Sequence, residues 1–203
     1  LNNRVSPGSF MNQVLGLLSE EKNLLIFKQA LSYAESCKRL FASQLTSYEN
    51  YENLLYSIAT KNENAQKKIY AAKSFYRIAS SSEAWQLLKK LWSDESFRKQ
   101  ENILLNETDL ISISYDLAIR FPEEANNILT KQLISITNPD RRKEYKFVSQ
   151  AVSPAKSDRD AFFQSLLLKE NRKIEPWTIS ALRLLNHPMR QPEALNYIRP
   201  GLE

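Results

Sequence analysis

The chain has 203 residues, 28 Lys and Arg against 23 Asp and Glu, and 42% hydrophobic residues, so it is long and apolar enough to bury a core and is neither disordered nor fibrous. Its three glycines are Gly8, Gly16 and Gly201. The phosphate-cradling loops, dinucleotide fingerprints and tight β-hairpins that rely on Gly at positive φ are therefore excluded between residues 16 and 201.

Leu, Ile, Ala, Glu, Lys and Gln dominate, Val and Thr are scarce, and no stretch alternates with period two, which predicts helices throughout. Taken in chain order they fall at about 9–18, 20–40, 44–59, 62–80, 82–92, 107–120, 122–136, 139–150, 157–168, 176–186 and 192–199. Ala65, Ile69, Ala72, Tyr76 and Ala79 form one apolar stripe. Ala84, Leu87, Leu88 and Leu91 form a second, widened by Trp85 and Trp92, and Ala125, Ile128, Leu129, Leu133 and Ile136 a third. Asn138-Pro139-Asp140 supplies an N-cap, a Pro at the first helical position and an acid at the dipole. Ser157 and Asp160 read as a capping box. The pairs Glu20-Glu21, Glu123-Glu124 and Asp158/Asp160 read as first-turn acids. Asn106-Glu107-Thr108 matches a glycosylation sequon, but Asn106 reads as an N-cap.

From Asn106 the helix starts recur every ~14–19 residues, which predicts a curved, HEAT-like α-solenoid of antiparallel helix pairs, about 10–12 helices in all. Residues 1–203 read as one helical-repeat domain, less regular over 1–105. The start, Leu1-Asn2-Asn3-Arg4, has neither an initiator Met nor a signal peptide and reads as a piece of a longer chain.

Cys37 alone cannot make an intrachain disulfide and reads as a small buried residue, and His187 alone cannot assemble a zinc site. No run reaches the ~18 apolar residues of a membrane span. Residues 138–203 carry 12 basic and 8 acidic side chains. That excess suits either an electropositive surface for nucleic acid or, more simply, solvated helix faces.

Residues 106–203 then read as a succession of motifs: NETDLISISYDLAIRFP, QLISITNPDRRKEYKFVSQAVS, SDRDAFFQSL, NRKIEPW, LLNHPMR and YIRPGLE. Their order and spacing resemble the C-terminal helical domain of the aminopeptidase N family of zinc metallopeptidases, in a bacterial version. Tyr145 stands where the family pattern has Phe, Gln150 where it has Pro and Met189 where it has Leu. The resemblance implies a non-catalytic domain that packs on the catalytic domain of the same chain and closes the active-site chamber, touching the peptide substrate only indirectly. The parent would be a zinc-dependent hydrolase using H-E-x-x-H, a downstream Glu and G-x-M-E-N. None of these motifs occurs here, so the fragment itself is expected to hold no zinc or other cofactor and no catalytic residue.

Asn138, Asp140 and Arg141 are expected to start a helix and pair with a neighbouring repeat. Trp177 should anchor helices against each other, Arg172 and Glu175 should pair across their turn, and His187 should cap the helix before it. Arg183 and Arg190 are the candidates for gripping a peptide carboxylate, because a guanidinium binds one through two hydrogen bonds. The alternative reading is a free-standing helical scaffold that binds a protein or, through its basic last third, nucleic acid. The compartment, cytoplasm or cell envelope, is left open.

Overall fold

The computed structural model describes residues 5–41 and 48–202 and is all-α. Its helices are α1 (Pro7–Glu20), α2 (Leu24–Phe41), α3 (Tyr48–Lys61), α4 (Ala65–Ile78), α5 (Ser82–Ser93), α6 (Glu95–Gln100), α7 (Glu107–Arg120), α8 (Ala125–Ser135), α9 (Pro139–Val148), α10 (Lys156–Leu166), α11 (Glu175–Leu185) and α12 (Gln191–Leu202). The first four residues of the helix expected at 44–59, the stretch Leu1–Arg4 and the final Glu203 lie outside the described residues.

The sequence predicts a single helical-repeat domain, less regular over residues 1–105. The polypeptide divides at that point into two compact units, Leu1–Asn106 and Glu107–Glu203. In the first, α1 packs on α2, α2 on α4 and α3 on α4. Met11, Val14, Leu18, Phe27, Leu31, Tyr51, Leu55 and Phe75 fill the space between them, with Trp85 and Trp92 buried on α5. In the second, α8 packs on α7 and α9, and α11 packs on α9, α10 and α12. The 3-10 turn Ser149–Val152 touches α7, α9, α10 and α11, and its Ala151 and Val152 are fully buried. The Tyr115 and Tyr145 rings stack at 5.0 Å in this core, where Ser114 and Tyr145 share a hydrogen bond of 3.0 Å.

Local chemistry explains where the helix boundaries differ from expectation. The helix expected from residue 20 begins at Leu24, because Asn23 Oδ1 accepts from Leu25 N at 2.9 Å and from Ile26 N at 3.3 Å. Glu20 and Glu21 thus close α1 rather than open a helix, and buried Lys67 donates to the Glu21 carbonyl at that end. Helix α6 was not expected. Asp94 starts it by accepting from Phe97 N at 2.9 Å, and Asn102, at φ 54°, follows its end, the left-handed position that Asn tolerates in place of Gly. Pro122, Glu123 and Glu124 form a turn ahead of α8 instead of its first residues. Helix α10 starts one residue before the expected Ser157, and Asp160 does not close a capping box, because Lys156 Nζ (2.6 Å) and Tyr197 OH (2.5 Å) take its carboxylate. Helix α12 continues through Pro200 rather than stopping at 199.

Candidate functional site

Within Glu107–Glu203, polar and charged side chains gather at three places. The first joins the start of α7 to the start of α9. Asn138 caps α9, its Oδ1 accepting from Asp140 N at 3.0 Å and Arg141 N at 3.1 Å. Glu107 accepts from Thr137 N and Thr137 Oγ1, both at 2.9 Å, and its other oxygen from Arg141 Nη1 at 2.8 Å. The Arg141 guanidinium and the Thr137 amide hold the Glu107 carboxyl down at about 2. Arg142 donates twice to the Ile136 carbonyl, at 3.2 and 2.6 Å. Asp140 points to solvent, 3.4 Å from Lys143. Asn138, Asp140 and Arg141 therefore build a helix start tied to a neighbouring helix.

The second place surrounds the carbonyls left open where the 3-10 turn ends before Pro154, a residue that turns the chain away from helix. Arg159, almost fully buried, donates through Nη1 to Ser153 O at 2.6 Å and Pro154 O at 2.9 Å, and pairs through Nη2 with Glu193. Arg190 donates through Nη2 to Val152 O at 3.3 Å, and its buried Nη1 finds no partner among the described residues. Burial and the like charge of Arg159, opposed by Glu193, push Arg190 down to about 10. Tyr197 OH donates to Asp160, and burial followed by that carboxylate pushes Tyr197 up to about 12. Three successive carbonyls, Val152 to Pro154, are thus satisfied by two guanidinium groups, one of which pairs with Glu193.

The third place is the end of α11. His187 Nδ1 accepts from Met189 N at 3.3 Å and its Nε2 lies 3.5 Å from Asp116 on α7. His187 therefore caps the 3-10 turn that follows it rather than the helix before it. Asn186 serves α11 instead, donating through Nδ2 to Leu182 O at 2.9 Å.

Trp177 lies against Phe147 at 5.9 Å and packs on the α7–α9 core, as an inter-helix anchor does. Arg172 and Glu175 are both exposed, and among the described residues no ion pair joins them. A short 3-10 turn ends at Arg172, and non-helical backbone at Ile174 separates the two. Arg183 stands exposed in the last turn of α11. Arg183 and Arg190 thus have different surroundings: one guanidinium is open to solvent, the other is turned onto a carbonyl.

Sequence reasoning missed a polar centre in Leu1–Asn106. Glu52, buried on α3, accepts from Ser80 N (2.7 Å), Ser80 Oγ (2.8 Å), Ser81 N (3.3 Å) and Ser81 Oγ. Lys38 Nζ is 3.0 Å from Ser80 Oγ and 3.8 Å from Glu52, and burial brings it down to about 8 against the pull of Glu52. The visible signal was the serine run Ser80-Ser81-Ser82 that leads into α5; its acceptor, 28 residues upstream of Ser80, carried none.

Among the described residues no three His, Cys, Asp or Glu side chains gather closely enough to hold a metal ion, and no helix is long and apolar enough to cross a membrane. Comparison with protein-family models, curated proteins and solved structures finds no match to this chain.

Proposed function

We propose that this chain is the non-catalytic C-terminal helical domain of a zinc aminopeptidase of the aminopeptidase N type. In this reading its helix pairs stack as a curved array that packs on the catalytic domain and limits which peptides enter the chamber. One observation carries the reading: the motif residues are also framework residues. Within SDRDAFFQSL, Arg159 binds the Ser153 and Pro154 carbonyls, and Phe162, Phe163 and Leu166 are buried. Within NPDR, Asn138 caps α9 and Arg141 ties it to α7. A run of motifs used for packing suits a domain whose work is shape rather than chemistry.

Arg190 is already engaged with Val152 O, so the peptide-carboxylate contact is assigned to exposed Arg183 alone. In the parent enzyme, Arg183→Ala is expected to raise KM several-fold for peptides with a free C-terminus and to leave aminoacyl-amide hydrolysis unchanged. Steady-state kinetics on the two substrate classes checks it.

The reading itself is tested on the 203-residue chain and on the reading frame upstream of Leu1. The chain alone should hydrolyse no aminoacyl-amide and retain no stoichiometric zinc. The upstream frame should encode H-E-x-x-H with a downstream Glu, preceded by G-x-M-E-N. Peptidase activity or tight zinc in the chain alone, or a start codon with no zinc motif upstream, overturns it.

A further inference from the structure

Lys38, Glu52 and Ser80 set an amine beside a proton acceptor where α2 and α3 meet the α4–α5 link. Lys38 Nζ is 3.0 Å from Ser80 Oγ and 3.8 Å from the Glu52 carboxylate. The Lys38 side chain is only 13% exposed, whereas Ser80 stands at the surface, so the amine lies one hydroxyl away from solvent. Glu52 is fixed in turn, because its two oxygens accept from Ser80 and Ser81. Of the charged groups on the packed elements, Glu35, one turn earlier on α2, lies 3.8 Å from Arg77 of α4. Glu83 is exposed in the first turn of α5, and α1 carries no ionised side chain before Glu20.

We propose that Lys38 is an acyl-acceptor site, modified directly by small acyl phosphates. The neutral Nζ attacks the acyl carbon and forms the N–C bond of an amide. The bond from that carbon to the phosphate oxygen breaks, and inorganic phosphate leaves with its electron pair. The proton that the nitrogen sheds passes to the Glu52 carboxylate and from there to water. Three features favour this lysine. The Ser80 hydroxyl holds Nζ in place beside the acceptor of its proton. Burial keeps more of the amine neutral near pH 8 than an amine in water. The amide product carries no charge to desolvate, so the same burial that disfavours the ammonium does not oppose it. So little of the side chain is open that a small donor reaches it more readily than a carrier-bound thioester.

Acetyl phosphate is the probe. The 203-residue chain is incubated with it at pH 8, and acetylation is followed at each lysine by peptide mass spectrometry. Lys99 and Lys143 are the internal standards. Each also pairs with a carboxylate, Glu95 at 2.7 Å and Asp140 at 3.4 Å, but their side chains are 76% and 71% exposed. Lys38 should be acetylated about tenfold faster than either, and its rate should level off above pH 8. In 6 M guanidinium chloride the preference should vanish, because the fold creates it. A Lys38 rate no greater than those of the standards, a rate still climbing steeply between pH 9 and 10, or a preference that survives unfolding each overturns the proposal. None of these outcomes depends on the aminopeptidase reading.

Discussion

Glu52 gathers two backbone N–H groups and two hydroxyls from Ser80 and Ser81, holding the α4–α5 link against α3. Removing its carboxylate leaves those donors facing a buried site, so Glu52→Ala is expected to cost about 3 kcal/mol in urea unfolding. Glu52→Gln keeps one acceptor oxygen and should cost less than Glu52→Ala. Lys38 beside it sets a pH dependence. Its ammonium sits near 8 in the folded chain against an ordinary 10.5, so above pH 8 the unfolded chain binds more protons and stability rises with pH. The rise should stop near pH 10, where Tyr51, Tyr115 and Tyr145, all pushed upward by burial, begin to ionise in the unfolded chain and draw it open. Urea midpoints measured from pH 7 to 11 should pass through a maximum near pH 10, and Lys38→Met should flatten the rising limb. This centre was illegible in the sequence because Lys38, Glu52 and Ser80 are separated by 14 and 28 residues, and only the packing of α2, α3 and α4 brings them together.

At the scale of helices, legibility follows the range of the interaction that sets each boundary. The start of α9 was readable because Asn138, Pro139 and Asp140 act within one turn, and α7 came out with the expected bounds. The Ser157–Asp160 box failed because Tyr197, 37 residues away, claims Asp160. Likewise, nothing local to Arg159 announces Glu193. The tie between α7 and α9 is of this longer-range kind and has an acid signature. Glu107 lies near 2 in the folded chain against an ordinary 4.5, so its contribution is fully present above pH 4.5 and is lost as pH falls toward 2. Because the pair is open to water, that contribution is under about 1 kcal/mol. Glu107→Gln should lower stability slightly at pH 7 and remove part of the pH dependence between 4.5 and 2. Urea midpoints across that range compare the two proteins.

For the whole molecule, the division at Asn106/Glu107 makes a claim about cooperativity. Each unit has its own buried set: Phe27, Tyr51, Leu55 and Leu88 in one, Ile113, Ile128, Tyr145 and Leu185 in the other. In the second, the 3-10 turn Ser149–Val152 touches four helices, so its loss would loosen α7, α9, α10 and α11 together. A unit of about 100 residues with a closed core of that kind falls in the size range that folds alone. Residues 107–203 expressed without the rest should therefore be helical and unfold in one cooperative urea transition. Phe163→Ala, which empties a buried position beside Tyr197 on α12, should destabilise this half by about 3–5 kcal/mol. In the full chain the same change should move the unfolding of 107–203, read from hydrogen exchange in α10 and α11, and leave exchange in α3 and α4 where it was. A fragment that stays unfolded, or exchange that shifts equally in both halves, would mean that the two units draw their stability from a single cooperative structure.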